Sequence, residues 1–290
     1  MNFREVIRAA KELNDVNFIQ WCSQNEVIRN INNRPLCRRC GVAMHVEYSV
    51  RNTDGACWRC HLCRGRLSIR YNTWCSRSTL SLRSLVKVLA HWCDCRTVNS
   101  TSTDLNIDEG TIRKKFDKFR SVADRLYRND LAQHPFGGML PVQIDESHFY
   151  KAKYDEGRMT GRAIWVFGIF DMNTDRVLME IVEERNAETL LPIVRSTVMQ
   201  GTTVWSDKWP AYGNLPMIGY RHETVNHSVE FVARNGVNTQ TIEALWSAVK
   251  RRLCQCGLNS RDRLEDYIHE YCFRHNIASD FATCWHLINT

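Results

Sequence analysis

Two Cys-x-x-Cys pairs, Cys37-Arg-Arg-Cys40 and Cys60-His-Leu-Cys63, are separated by 19 residues. No other feature constrains the front of the chain as tightly. Each pair turns two thiolates toward one point, and two pairs complete the four-sulfur tetrahedron of a structural zinc site. Residues 35–72 are therefore expected to fold as a zinc ribbon around one Zn²⁺. Gly41 and Gly65, after the first and second pairs, suit the tight turns of such knuckles. Arg38, Arg39, Arg59, Arg64 and Arg66 crowd the pairs, where positive charge lowers thiol pKa values and faces phosphates. Cys57 offers a substitute for Cys60, but the two-residue spacing favours Cys60. Thirteen cysteines, an odd count in 290 residues, fit no compact disulfide framework. They point to a reducing compartment, with Cys22, Cys75, Cys93, Cys95, Cys254, Cys256, Cys272 and Cys284 read as core thiols.

The expected ribbon lies in a basic half. Residues 1–136 carry 23 Lys/Arg against 13 Asp/Glu, whereas residues 137–290 carry 16 against 19. Attraction for polyanions is thus concentrated in front, a pattern that suits nucleic acid but also an ordinary soluble surface. No run of about 18 apolar residues occurs, so no membrane span is expected. The first residues, Met1 to Arg8, lack the basic-then-apolar layout of a secretory leader.

Residues 1–34 read as one or two amphipathic helices, with Phe3, Val6, Ile7 and Ala10 at helical spacing. Across 79–132 the pattern is again helical. Leu82, Leu85, Val86, Leu89 and Trp92 form an apolar stripe, and a short helix is predicted over 97–105. After a turn at Asn106-Ile107-Asp108, a second helix starts at Glu109 and bears Arg113, Lys114, Lys115, Lys118 and Arg120. Helix, short turn and basic helix match a helix-turn-helix, whose second helix would enter the DNA major groove. A solvated charged helix in a bundle gives the same pattern. His134-Pro-Phe-Gly-Gly138 breaks the helical run. Beyond it, strands are predicted at about 139–145, 163–170, 176–183, 202–206 and 221–226. Helices are predicted over 186–199, from Asn238 or Thr239 to Gly257, and over 261–275. Three antiparallel strands, a crossover helix, two more strands and closing helices describe a mixed α/β, ribonuclease-H-like domain over 138–290.

Within that domain Asp145 and Asp207 close predicted strands, and Glu243 opens an amphipathic helix. The first and fourth strands of such a fold are neighbours, so the two aspartates should meet and the helix should bring Glu243 over them. Hard oxygen ligands suit Mg²⁺ or Mn²⁺, and two such ions about 3.5–4 Å apart can activate a hydroxyl and stabilise a leaving oxygen. Each acid also has an ordinary reading as a turn cap or a helix first-turn residue, and Glu146 competes with Asp145. Lys250, seven residues after Glu243, returns to the same helix face, where it suits a phosphate; Arg251 adjoins it. Lys208 follows Asp207, with Trp209 and Tyr212 better explained by core packing. Lys151, Lys153 and Arg162 flank, and Arg158 lies within, Asp155-Glu-Gly-Arg-Met-Thr-Gly161, a loop that suits either phosphate contacts or plain solvation.

Three motifs follow the cysteine pairs: Gln143-Ile-Asp145-Glu-Ser147, Trp205-Ser-Asp207-Lys-Trp-Pro-Ala-Tyr212, and Asn238-Thr-Gln-Thr-Ile-Glu243-Ala-Leu-Trp-Ser-Ala-Val-Lys-Arg251. With the expected ribbon and helix-turn-helix, they make residues 35–275 resemble the Merlin superfamily of cut-and-paste DNA transposases and its bacterial insertion-sequence relatives. The third motif is the most specific, and the 36-residue step from Asp207 to Glu243 suits the DDE arrangement of that group. The resemblance implies Asp145, Asp207 and Glu243 as ligands of two Mg²⁺ or Mn²⁺ ions, with Lys250 beside them, and Cys37, Cys40, Cys60 and Cys63 as zinc ligands. It implies a homodimer that binds double-stranded terminal inverted repeats and target DNA, cleaves strands, and joins 3′-hydroxyl ends, in the nucleus if the source is eukaryotic. Two other classes share these features: a host-recruited DNA-binding protein that no longer cuts, and a stand-alone nuclease that cuts without joining.

Overall fold

The computed structural model describes residues 1–149, 164–225, 237–256, 258 and 263–289. It divides into two compact units, Met1–Phe119 with Ala278–Thr290, and Arg120–Ile277. Lys151, Lys153, Arg158, Arg162, the Asp155–Gly161 loop and the predicted helix stop at Gly257 lie outside the described residues.

In the first unit, α1 (Phe3–Glu12) starts with a capping box. The Asn2 side chain accepts the Glu5 backbone N–H, and the Glu5 carboxylate accepts the Asn2 N–H. After α2 (Asp15–Gln24) come β1 (His45–Tyr48), β2 (Ala56–Arg59) and β3 (Arg66–Ser68), an antiparallel sheet in that order. Helices α3 (Leu82–Cys93), α4 (Val98–Leu105) and α5 (Glu109–Gln133) follow. The Thr97 side chain caps the start of α4, and Asn106 ends it in the left-handed conformation at φ 50°. α5 runs on to Gln133 because neither Gly nor Pro interrupts it after Gly110, and the boundary between the units falls inside it.

The second unit contains β4 (Val142–Phe149), β5 (Ile164–Asp171), β6 (Val177–Val182), α6 (Ala187–Thr197), β7 (Thr203–Ser206), β8 (Arg221–Thr224), α7 (Gln240–Gln255) and α8 (Leu264–Asn276). The sheet order is β6-β5-β4-β7-β8. β4, β5 and β6 pair antiparallel, while β4–β7 and β7–β8 pair parallel. The first strand of this unit therefore lies beside the fourth, as the ribonuclease-H-like expectation requires. Val142, Ile144, Ile169, Leu178 and Val204 pack with Leu190 and Val194 of α6 and with Tyr212 into one buried cluster. Asp171, fully buried, shapes the β5–β6 turn by accepting the Asn173 N–H and the Thr174 hydroxyl.

Three local expectations change. Asp145 does not close its strand: β4 continues to Phe149 by pairing with β5 alone, with Phe149 opposite Ile164. Arg120 is no surface cation; it is buried against Glu270 of α8 at 2.7 Å, with its guanidinium 3.9 Å from the Tyr267 ring centroid. Finally, an unforeseen helix, α9 (Phe281–Asn289), belongs to the first unit. There Trp285 meets the Trp21 ring and Phe281 the Phe3 ring.

Candidate active site and cysteine cluster

Strand alternation sends Asp145 and Glu146 to opposite faces of the sheet. The odd residues of β4 face α7. Gln143 Oε1 accepts the Ile242 backbone N–H at 3.1 Å, Asp145 Oδ2 accepts the Trp246 indole N–H at 2.9 Å, and Ser147 Oγ accepts Lys250 Nζ at 2.7 Å. The even residues turn the other way: Val142 and Ile144 enter the cluster under α6, and Glu146 accepts the Tyr212 hydroxyl at 2.6 Å. Gln143, fully buried, does the work of a cap at the start of α7, where Thr239 makes no side-chain capping bond to the backbone. One strand thus fixes where α7 begins and which face of it overlies Asp145.

Parallel pairing brings in Asp207. Val142 aligns with Val204 and Gln143 with Trp205; the same register two residues on sets Asp145 level with Asp207, just past β7. The Asp207 carboxylate accepts the Trp209 N–H at 2.9 Å, and Glu243, in the first turn of α7, accepts the Thr239 hydroxyl at 3.0 Å. Burial first, then the charges of Asp207 and Glu243, push the Asp145 carboxyl up to about 6. Burial, with Asp145 and Asp207, pushes Glu146 up to about 7. Crowded carboxylates with hard oxygen donors fit Mg²⁺ or Mn²⁺, whose charge would relieve their repulsion. Among the described residues, the ligand atoms of these three do not all lie within 4.8 Å of one another, so a shared ion would have to draw them closer.

These shifts set a pH dependence. The folded Asp145 holds its proton more tightly than the unfolded chain does, so its stabilisation is complete below pH about 4 and lost as pH rises through about 6. The loss is up to about 3 kcal/mol, or several degrees of Tm in a unit of this size. In metal-free protein, wild-type Tm should fall relative to Asp145→Asn between pH 4.5 and 7.5. Parallel melting curves would show that Asp145 is not perturbed.

Gly168, which the sequence reading passed over, completes this wall. It pairs with Asp145 across β4 and β5, and a Cβ placed on it would meet the Trp246 ring at 2.6 Å. A glycine inside an otherwise bulky strand is the available signal of such a close approach. Gly168→Ala should cost about 1–3 kcal/mol by overpacking. It should also shift Trp246 fluorescence, since the indole that holds Asp145 must move; an unchanged spectrum and Tm would refute this packing.

In the first unit the four expected cysteines converge. Cys37 Sγ lies 3.3 Å from Cys63 Sγ, and Cys40 Sγ lies 3.4 Å from Cys60 and 3.6 Å from Cys63. Sulfurs about 2.3 Å from a tetrahedral zinc stand roughly 3.8 Å apart, so the cluster fits that ion with slight expansion. Cys57 points elsewhere, toward Glu47. The Arg39 and Cys40 backbone N–H groups lower Cys37 to about 6, and the Cys63 N–H leads the lowering of Cys60. Knuckle amides, more than the neighbouring arginines, therefore favour these thiolates. Cys40 is the exception: despite the Val42 N–H, its Cys60 and Cys63 neighbours and burial hold it up to about 12. Gly41 takes φ 73° as a tight turn needs; after the second pair it is Arg64, at φ 58°, that does so. Gly65 instead supplies space, because a Cβ there would stand 3.3 Å from both Cys37 and Cys63 sulfurs.

The proposed DNA-contact residues differ in setting. Arg38 lies over the Tyr71 ring, Arg66 pairs with Glu47 at 3.4 Å, and Arg113 pairs with Glu109 at 3.9 Å. Arg39, Arg64, Lys114, Lys118, Lys208 and Arg251 are exposed. Lys115 is half-buried and donates to Ser78 Oγ at 2.8 Å, with burial lowering its pKa. Lys250 sits 5.1 Å from the Phe149 ring centroid as well as on Ser147.

Among known proteins, an uncharacterised transposase-like protein of Haemophilus influenzae is 30% identical over 101 residues, covering 35% of this chain and 81% of the relative. Weak structural likeness links the chain to the HTLV-2 integrase catalytic core domain in complex with magnesium, in its dimeric form: 15% identity, 53% of this chain, 99% of that chain, TM-score 0.31. The Mos1 strand transfer complex is similarly distant, at 13% identity, 67% of this chain, 70% of that chain and TM-score 0.32. The profile of the ISXO2-like transposase domain matches residues 137–276, from the break before β4 to the end of α8. That span, an ISXO2-like transposase domain, holds Asp145, Asp207 and Glu243, and with the Haemophilus relative it shows that this chain belongs to the insertion-sequence transposases.

Proposed function

We propose that the protein is an Mg²⁺-dependent DDE transposase of the Merlin type. It binds the terminal inverted repeats of a DNA element, cleaves the DNA, and joins the 3′-hydroxyl ends to target DNA. The observation that supports this best is the strand register that sets Asp145 level with Asp207, under a helix carrying Glu243. In this reading Asp145, Asp207 and Glu243 hold two Mg²⁺ or Mn²⁺ ions, which activate the attacking oxygen and stabilise the leaving one. Trp246 fixes the Asp145 carboxylate through its indole N–H, and Lys250, two residues along β4 at Ser147, meets a DNA phosphate. Cys37, Cys40, Cys60 and Cys63 hold one Zn²⁺ in a ribbon. Arg38, Arg39, Arg64 and Arg66, with Arg113, Lys114, Lys115 and Lys118 on a helix-turn-helix second helix, contact double-stranded DNA. Lys115 would first have to leave Ser78. Lys151, Lys153, Lys208 and Arg251 add phosphate contacts near the carboxylates. A homodimer would bridge two DNA ends. All thirteen cysteines are unbridged, which supports a reducing compartment, the nucleus if the source is eukaryotic.

The test is an incubation of the full chain with labelled inverted-repeat DNA, supercoiled target and Mg²⁺. Cleaved ends and joined products are expected. Salt-sensitive binding without cleavage would replace this reading with the host-recruited DNA-binding protein, and cleavage without joining would replace it with a nuclease.

A further inference from the structure

A second cluster of ligand-type side chains lies on the sheet edge, two strands from β4. Glu180 of β6 and Glu265 and His269 of α8, one helical turn apart, bring a ligand atom each within 4.8 Å of one another. The bland account is a salt-bridge network. Arg128 of α5 lies 2.9 Å from Asp124 and 3.1 Å from Glu265, and 3.5 Å from His269 Nδ1. Exposed pairs of this kind are worth little.

That network leaves one atom unexplained. His269 is 1% exposed. Its Nδ1 stands 2.7 Å from Asp124 Oδ1, so Nδ1 carries the proton and donates it. Nε2, on the other side of the ring, is buried and meets no hydrogen-bond partner. Nε2 faces Glu180 Oε2 at 4.0 Å, too far for a hydrogen bond. Ligands about 2.1 Å from one tetrahedral ion stand roughly 3.4 Å apart, so a small closure would suffice. A carboxylate on one ring nitrogen and a metal on the other is the usual way a protein orients a ligating histidine.

We infer that His269 Nε2, Glu180 and Glu265 form a site for one divalent transition cation of the Zn²⁺ class, clamping α8 to β6, with Asp124 orienting the histidine. One imidazole with two carboxylates suits Zn²⁺ better than Mg²⁺ or Ca²⁺, which prefer oxygen alone. The ion would displace Arg128 from Glu265 and leave its bond to Asp124. This site is independent of the carboxylates at Asp145 and of the cysteine cluster.

The test is equilibrium dialysis of metal-stripped full chain against Zn²⁺, with bound zinc counted by atomic emission. Wild type should hold about one Zn²⁺ per chain more than Glu265→Gln or Glu180→Gln, with folding checked by circular dichroism. The cysteine and Asp145 sites are common to all three proteins and cancel in that difference. Arg128→Gln removes the competing cation and should tighten the extra site, on the order of tenfold for a change of about 1.4 kcal/mol. It decides the matter even if a glutamate variant misfolds. Equal zinc counts, or an Arg128→Gln protein with unchanged zinc affinity, would overturn the site and leave a salt-bridge network.

Discussion

Asp207→Ala protein is expected to bind inverted-repeat DNA as tightly as wild type and to cleave it on the order of 10³-fold more slowly or worse. A metal that stabilises charge at the reacting phosphate lowers the barrier by several kcal/mol, and about 1.4 kcal/mol corresponds to a tenfold rate change. Asp207 is the cleanest of the three positions to change. It lies just past β7, half-buried, and its own bond is to the Trp209 backbone N–H. Asp145, by contrast, anchors the Trp246 indole, so Asp145→Ala would disturb α7 as well; Asp145→Asn keeps an acceptor for that indole. Glu243→Gln keeps a partner for Thr239. The three changes should converge on one phenotype, binding without cleavage, with equal losses at all Mg²⁺ concentrations reached. Wild-type cleavage by the Asp207→Ala protein would remove Asp207 from the metal site.

How much of this site was readable in advance follows from the range of each interaction. The Cys-x-x-Cys pairs announce themselves because each knuckle is local, and Cys60 wins over Cys57 by the same short-range geometry. The motif around Glu243 was legible because helical spacing alone puts Glu243, Trp246 and Lys250 on one face. Asp145 against Glu146 was not, because they are adjacent in a strand whose two faces are both buried in part. Only the partners, Trp246 on one side and Tyr212 on the other, separate them. The strand end was misplaced for a related reason. Glu146-Ser147-His148 reads as polar and therefore as loop, yet β5 lends it a full ladder of backbone bonds. Gly168 and Gln143 act through contacts with Trp246 and Ile242, about 80 and 100 residues distant in the chain, beyond any local pattern. α9 does have a start signal, since the Asp280 carboxylate caps it by accepting the Thr283 N–H, but one short capped stretch near the last residues carries little periodicity to mark it.

Removing zinc should unfold the segment that carries the cysteines. Between Pro35 and Tyr71 the three-stranded sheet has only strands of three or four residues. Its buried apolar side chains, such as Met44, Ala56, Trp58 and Ile69, are too few to hold such short strands by burial alone. Zinc binding to four thiolates is worth about 10–16 kcal/mol in small domains at neutral pH, and because the unfolded chain has no formed site, that energy is folding energy. Cys63→Ala, or a strong chelator added to wild type, should therefore abolish the protection of β1–β3 amides against hydrogen exchange. The β4–β8 amides should stay protected, since the carboxylate unit has its own core. DNA affinity should fall together with the β1–β3 protection if Arg38, Arg39, Arg64 and Arg66 contact phosphates. Cys57→Ala provides the control: its thiol faces Glu47 and lies outside the cluster, so zinc content should remain at about one per chain from the cysteines. Undiminished protection of β1–β3 in chelated protein would show that the four cysteines are held by packing and need no ion.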